Sequence, residues 1–173
     1  MPVTSKPQKK LALWTAMGAS LVVLADQASK WWAELTLSHN QYVPLISDLI
    51  GWRLIYNPGA AFGLGANSTW ILTIIAAIAV LVLAFFTLRA KNRLWAFGTA
   101  CLLGGAVSHL GDRLFRSPGF AQGHIVDFID YGGFFVGNIA DIFLVGGAVF
   151  MILVSWFERE TPDSKDGPLR RAR

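Results

Sequence analysis

The 173-residue chain has little charge and a single cysteine. Asp, Glu, Lys and Arg together make up 15% of the residues, 54% are hydrophobic, and the mean hydropathy is +0.48. Soluble domains of this size rarely have such a composition. An internal disulfide is excluded, and because Cys101 lies in an apolar segment (GTACLLGG) we expect it to serve in packing.

Several motifs of hydrolytic and metal sites are also absent. The zinc protease motif H-E-x-x-H does not occur, and Ser108 lacks the flanking glycines of G-x-S-x-G. His39, His109 and His124 have no spacing typical of metal ligands, and there is no glycine loop that could hold a phosphate. We therefore expect no metal and no cofactor, and look for chemistry among carboxylates, amides and basic side chains.

What the chain does have is four apolar runs, each long enough to cross a bilayer as a helix. They cover residues of about 11–32, 69–88, 94–110 and 134–157. The pattern predicts an all-α membrane protein that forms a single membrane domain over residues 1–173, with four transmembrane helices and a cytoplasmic tail at 158–173.

The Lys and Arg residues cluster next to the ends of these apolar runs. Four cations, Lys30, Arg53, Arg113 and Arg116, fall on one side of the predicted bundle, which leaves 11 of the 15 Lys and Arg residues on the other. By the positive-inside rule, that other side, with both termini, is cytoplasmic. The charge therefore reflects topology, and we expect no nucleic-acid partner.

Two connections then lie outside the membrane, at residues 34–68 and 111–133. Trp52–Tyr56 mixes aromatic and β-branched residues and precedes the turn signal Asn57-Pro58-Gly59. Residues 124–129 (HIVDFI) have the composition of a short strand. These segments predict a small extracytoplasmic β element on the outer leaflet.

A carboxylate at Asp141 has a high desolvation free energy because the residue lies within the fourth apolar run. The helix rise places Asp26, His109 and Asp141 each about 24 Å from the cytoplasmic ends of their runs, near the outer surface of a hydrocarbon core about 30 Å thick. Asp127 lies in the polar approach to the same run. Two close carboxylates in a low dielectric share a proton and can act together as base and acid, as in aspartic peptidases.

We predict that Asp127 pairs with Asp141, about two turns into the fourth helix, if the intervening loop folds back. Asp26 and Lys30, spaced i and i+4, fit either a structural ion pair at the cavity rim or a direct contact with substrate. Arg113 is expected to form a salt bridge at the rim. Three further charged residues are expected to be solvated: Asp48, Arg116 and Asp130.

Five separated segments together resemble lipoprotein signal peptidase, also called signal peptidase II. In chain order they are LADQASK (24–30), YNPGAAFG (56–63), GGAVSHLGDR (104–113), GHIVDFI (123–129) and NIAD (138–141). The resemblance implies an aspartic endopeptidase of the bacterial plasma membrane. Such enzymes remove signal peptides from diacylglyceryl-modified prolipoproteins by cutting N-terminal to the lipid-modified cysteine, and the cyclic peptide antibiotic globomycin inhibits them. We expect membrane lipids around the chain and a monomer.

Carried over by position, Asp127 and Asp141 match the catalytic pair. The resemblance assigns eight further positions to shaping and supporting the site: Asp26, Lys30, Asn57, Gly59, Ala60, Arg113, Asn138 and Ala140. The chain departs from the family pattern at Ser108-His109, where Gly-Asn is usual, and at Gly137, where Phe is common. His109 would face the site and can become cationic, so we predict that activity falls below roughly pH 6.5.

A second class of function fits part of the pattern, namely a small transporter or proton pathway with Asp26, His109 and Asp141 as a relay. Polar layers in transporters usually lie near the midplane, and the path must continue inward. The cytoplasmic halves of all four runs lack ionisable residues, which favours a site that opens to one side only.

Overall fold

The computed structural model describes residues 6–90 and 92–160. The helices are α1 Lys6–Thr36, α2 Thr69–Thr87, α3 Arg93–Phe115 and α4 Ile139–Glu160. The strands are β1 Val43–Ile46, β2 Ile50–Asn57, β3 Ile125–Asp130 and β4 Val136–Gly137, with 3-10 turns at Ala61–Gly63 and Ala66–Ser68. Most of the tail predicted at 158–173 lies outside the described residues.

Within the described residues, four helices are long and apolar enough to span a membrane, which confirms the predicted number. Their ends differ from the predicted runs at three places. α1 is longer than 11–32, α3 continues past residue 110 to Phe115, and α4 begins at Ile139 rather than at residue 134. The apolar segment before α4 instead forms a turn and strand β4, so Asp141 lies in the first turn of its helix and not two turns inside it.

α3 is the central helix of the bundle and packs against the other three. Half of its apolar span is buried, at 50%, compared with at most 22% for the others, whose large side chains face outward as expected in lipid. Small residues permit the close approach. A Cβ on Gly104 would lie 2.6 Å from the Val22 Cβ of α1, and one on Gly105 would lie 2.6 Å from the Leu144 Cγ of α4.

The two connections on the far side of the bundle form one antiparallel sheet in the order β1-β2-β3-β4. The small β element was predicted, but the sequence did not show that both connections share one sheet. Pairing of β2 with β3 sets Ile55 opposite Asp127 and Asn57 opposite Ile125. The sheet packs on the end of α1 through a buried apolar cluster: Ala33, Leu54, Val126, Phe128 and Ile129.

This topology places the acid residues. Every residue of β3 is buried, so Asp127 is fixed in the middle of the sheet. The short strand β4 then returns along β3 and leads directly into α4, which brings Asp141 back to the same edge.

Candidate active site

The start of α4 is a reciprocal capping arrangement between Asn138 and Asp141. The backbone N–H of Asp141 donates to Asn138 Oδ1 at 3.1 Å, and the backbone N–H of Asn138 donates to Asp141 Oδ2 at 3.0 Å. The pair satisfies two donors that a helix start otherwise leaves free, and the carboxylate is favoured by the positive end of the helix dipole. The Asp141 carboxylate is therefore anchored, yet its side chain stays 34% exposed.

Asp127 is held by two amide side chains. Asn138 Nδ2 donates to its Oδ1 at 2.6 Å, and Asn57 Nδ2 donates to its Oδ2 at 3.1 Å. Asn138 thus contacts both acids, Asp127 through its side-chain amide and Asp141 through its backbone and Oδ1. This one residue, itself fully buried, fixes the two carboxyl groups relative to each other.

The surroundings of Asp127 disfavour its charged form. Burial, followed by the negative charge of Asp141, raises its pKa from 3.8 to about 7. The hydrogen bonds from Asn57 and Asn138 act in the opposite direction but do not offset this increase. Near neutral pH, Asp127 therefore carries a proton much of the time, which suits a group that donates one.

His109 also points at the acid pair. Its Nε2 lies 3.2 Å from Asn138 Oδ1 and 3.5 Å from Asp141 Oδ1, and its side chain is 17% exposed. Both neighbours are acceptor oxygens, so the geometry favours a proton on Nε2. The residue that departs from the family pattern thus lies within reach of one carboxylate.

Asp26 and Lys30 form an ion pair at 2.6 Å, and both side chains are fully buried. The other carboxylate oxygen of Asp26 accepts the backbone N–H of Ala140 at 2.8 Å, at the start of α4. The full burial of Asp26 favours the structural alternative over a direct contact with substrate. Asp26 holds α1 against the helix that carries Asp141.

Among the residues that the structure describes, Arg113 has no salt-bridge partner, contrary to the prediction. Its guanidinium donates to backbone carbonyls of the turn after β2, at Asn57, Pro58 and Gly59, and to that of Gly123. Sequence patterns of charge cannot reveal carbonyl acceptors in a folded turn. The contacts tie the turn after β2, and with it Asn57, to the end of α3.

The turn itself requires glycine at one position. A Cβ on Gly59 would lie 2.5 Å from the carbonyl group of Gly63. The Gly59 N–H donates to Asn57 Oδ1 at 2.9 Å, and the Ala60 N–H donates to the Leu64 carbonyl at 2.7 Å. Because Asn57 Oδ1 accepts the Gly59 N–H, the amide nitrogen of Asn57 is directed at Asp127.

A buried polar network behind the site was missed by the sequence analysis. Asp112 accepts from Lys30 Nζ at 2.6 Å and from Arg116 Nε at 2.7 Å, and Arg116 also pairs with Glu34 at 2.8 Å. Ser108 Oγ donates to Asp26 Oδ2 at 2.6 Å. The i, i+4 spacing of Asp112 and Arg116 was the available signal for one of these contacts.

Two residues expected to be solvated are therefore paired instead. Arg116 lies in the network above, and Asp130 is fully buried beside Arg53, with 2.8 Å between Asp130 Oδ2 and Arg53 Nε. Glu34 and Arg53 come from distant parts of the chain, which explains why local sequence did not indicate these two pairs.

The geometry bears on the alternatives of metal binding and transport. Among the described residues, no three His, Cys, Asp or Glu side chains gather in a way that could hold a metal ion. Asp26 is bonded to Lys30, Ser108 and the Ala140 N–H, and no hydrogen bond joins it to His109 within the part of the chain that the structure describes. The described residues therefore give no support to a relay through Asp26, His109 and Asp141.

Fold and site together define a class: a multi-pass membrane protein whose buried polar groups converge on an acid pair at one end of the bundle. The family model described as signal peptidase (SPase) II matches residues 18–157. The lipoprotein signal peptidase of Mycobacterium avium (strain 104) is 39% identical over 152 residues, which cover 88% of this chain and 83% of that protein. The lipoprotein signal peptidase of Rhodococcus jostii (strain RHA1) is 36% identical over 166 residues, which cover 96% of this chain and 82% of that protein.

The chain belongs to the signal peptidase II family, a family of bacterial membrane peptidases. A solved structure described as a bacterial membrane enzyme matches with a TM-score of 0.77 at 25% identity, covering 88% of this chain and 93% of its own. The family expected from the five motifs and the predicted fold class are both confirmed, and the peptidase family replaces the transporter alternative.

Proposed function

We propose that this chain is an intramembrane aspartic endopeptidase that removes signal peptides from diacylglyceryl-modified prolipoproteins, cutting N-terminal to the lipid-modified cysteine. One observation carries the proposal beyond family membership. Asn138 bonds Asp127 at 2.6 Å and forms the reciprocal cap with Asp141, so two acids from different elements meet at one edge of the sheet.

The two acids have different environments, which suits them to different roles. Asp141 is partly exposed and accepts a proton from the attacking water, whose oxygen bonds to the scissile carbonyl carbon. Asp127, whose pKa is raised to about 7, gives its proton to the carbonyl oxygen. The product of this step is a gem-diol, whose C–N bond then breaks. Asp141 gives its proton to the leaving amine nitrogen, Asp127 takes a proton from one diol hydroxyl as the carbonyl re-forms, and both acids end as they began.

The remaining site residues support the pair in this proposal. Asn57 and Asn138 orient Asp127, while Asp26, with Lys30 as its counter-ion, holds the start of α4 at Ala140. Arg113 fixes the turn that contains Gly59 and Ala60.

The membrane orientation completes the proposal. By the positive-inside rule, the cations at the opposite end of the bundle support an orientation with both termini in the cytoplasm and the acid pair near the outer face of the plasma membrane. There the lipid anchor of a prolipoprotein would lie among the helices while its scissile bond meets Asp127 and Asp141. We expect a single membrane domain that acts as a monomer without a metal and is inhibited by globomycin.

The test uses purified full-length protein and two versions of one prolipoprotein, with and without the diacylglyceryl group on cysteine. We expect cleavage of the modified version only, a product that begins with the modified cysteine by mass spectrometry, and no effect of a chelator. Equal cleavage of both versions, or a cut elsewhere, would contradict the proposed substrate. The unmodified prolipoprotein is the matched control.

A further inference from the structure

A groove of about 720 Å³ runs along the seam of α1 and α3, at the end of the bundle opposite the acid pair. Lys10 lines it and lies 16 residues before Asp26 on α1, which corresponds to about 24 Å along the helix. The groove therefore has no part in the proposed peptidase site and requires its own explanation.

The groove forms because small residues of α1 and α3 pack together at its base, while larger side chains flank them. Gly18 of α1 faces Ala100 of α3, where a Cβ on Gly18 would lie 3.0 Å from the Ala100 Cβ, and Ala96 also lines the groove. Trp14 and Phe97 form the side walls and are 66% and 58% exposed. The result is a narrow apolar slot that opens toward lipid.

The walls and floor of the slot are defined by the fold. Phe97 packs edge-on against Phe150 of α4, with ring centroids 5.2 Å apart, which holds that wall away from the seam. The buried Thr15 hydroxyl of the same seam donates to the Leu11 and Ala96 carbonyls, so it presents no free donor to an occupant. The slot thus favours a saturated or unsaturated hydrocarbon chain over a polar group.

The mouth of the slot is positively charged. Lys10 and Arg93 both line it, and among residues 6–90 and 92–160 neither forms an ion pair. Arg93 also begins α3, so the positive end of that helix dipole adds to the field. The nearby acid, Glu158, is engaged by Asn92 Nδ2 at 2.9 Å and by the Trp95 indole at 3.0 Å.

We infer that this groove binds an anionic phospholipid, with an acyl chain in the slot and the phosphate between Lys10 and Arg93. Basic pockets between membrane helices recognise anionic headgroups in this way. A second copy of the chain is a poorer occupant, because a symmetric contact through this face would bring like charges together. A zwitterionic lipid would fill the slot but leave the positive charge unneutralised.

The test titrates purified full-length protein in detergent with dioleoylphosphatidylglycerol or dioleoylphosphatidylethanolamine and counts bound lipids by native mass spectrometry. The two lipids have the same chains and differ in headgroup charge. We expect the anionic lipid to bind at least about tenfold more tightly, because each cation near a membrane surface favours it several-fold. Equal affinity would overturn the inference.

Three variants locate the binding. Lys10→Gln with Arg93→Gln should reduce the preference to within about threefold. The control, Arg89→Gln with Arg159→Gln, removes the same charge from the same end and should leave it unchanged. Trp14→Ala removes a wall and should weaken binding of both lipids. An equal loss in the control, no effect of Trp14→Ala, or a stable dimer formed through Trp14 would each overturn the assignment.

Discussion

At the scale of single residues, the burial of Asp127 links its charge to the stability of the fold. Its pKa is raised from 3.8 to about 7, so between these values the folded protein binds more protons than the unfolded chain. Stability from this group is fully present below about pH 4 and is lost as the pH rises to about 7. The corresponding free energy is at most about 4 kcal/mol.

Asp127→Asn removes this titration while keeping the size of the side chain. We expect its melting temperature to vary less than that of the parent between pH 4.5 and 7.5, and to exceed the parent value at the upper end. Thermal unfolding in detergent over this pH range measures the difference, and Asp48→Asn at an exposed position is the control. Parallel pH curves for parent and Asp127→Asn would contradict the raised pKa.

His109 allows a second prediction at this scale. Its Nε2 lies 3.5 Å from Asp141 Oδ1, and Asp141 is the titratable side chain of α4 that faces it, with Asp127 beyond Asn138. The imidazole therefore helps to position the Asp141 carboxylate, and loss of this contact should lower activity.

His109→Ala removes the contacts with Asp141 and Asn138, whereas the amide of His109→Asn can keep the contact with Asn138. We expect kcat/KM to fall at least about tenfold in His109→Ala and less in His109→Asn. The measurement is kcat/KM at a single pH, with His124→Ala as the control. Parent-like activity of His109→Ala would show that the imidazole contact is dispensable.

At the scale of secondary-structure elements, the start of α4 combines a helix cap with an acid clamp. Asn138 supplies the cap oxygen for the Asp141 N–H and the amide that reaches Asp127. Serine is an equally good cap but is too short to bond Asp127. The two functions of Asn138 can therefore be separated by substitution.

We expect Asn138→Ser to retain most of the stability of the fold, and Asn138→Ala to lose about 1 kcal/mol through loss of the cap. Both should lose at least about tenfold in kcat, because neither can orient Asp127. Thermal unfolding and kinetics of the two variants provide the comparison. Full activity of Asn138→Ser would show that the contact with Asp127 is dispensable.

This element also shows what sequence could and could not predict. Hydropathy placed the start of the fourth helix at residue 134, because Phe134–Gly137 is apolar and hydropathy does not detect that part of it pairs with β3. The spacing Asn-x-x-Asp before an apolar run, at 138–141, is a capping signal that would have placed the start correctly. The period of a helix could not reveal the strand, since β4 has only two residues.

At the scale of the whole molecule, the sequence predicted four membrane helices and the family, because long apolar runs and five ordered motifs are local features. It did not predict the shared sheet, the bonds of Arg113 to backbone carbonyls, or the pairing of Asp130 with Arg53. Each of these depends on contacts between distant segments. The buried network around Asp112 belongs to the same group, since Lys30 lies 82 residues away in sequence.

The whole assembly serves, in the proposed function, to bring one acid from the sheet and one from the bundle to the same bond. The most direct measurement of that claim is cleavage of a diacylglyceryl-modified prolipoprotein by the purified parent, Asp127→Asn and Asp141→Asn. Asparagine keeps the size of each side chain, and at residue 141 its oxygen can still accept the Asn138 N–H. Both variants should fold, which their melting temperatures will show. Their kcat should nevertheless be at least about a thousandfold lower than that of the parent. Parent-like cleavage by either folded variant would contradict the account.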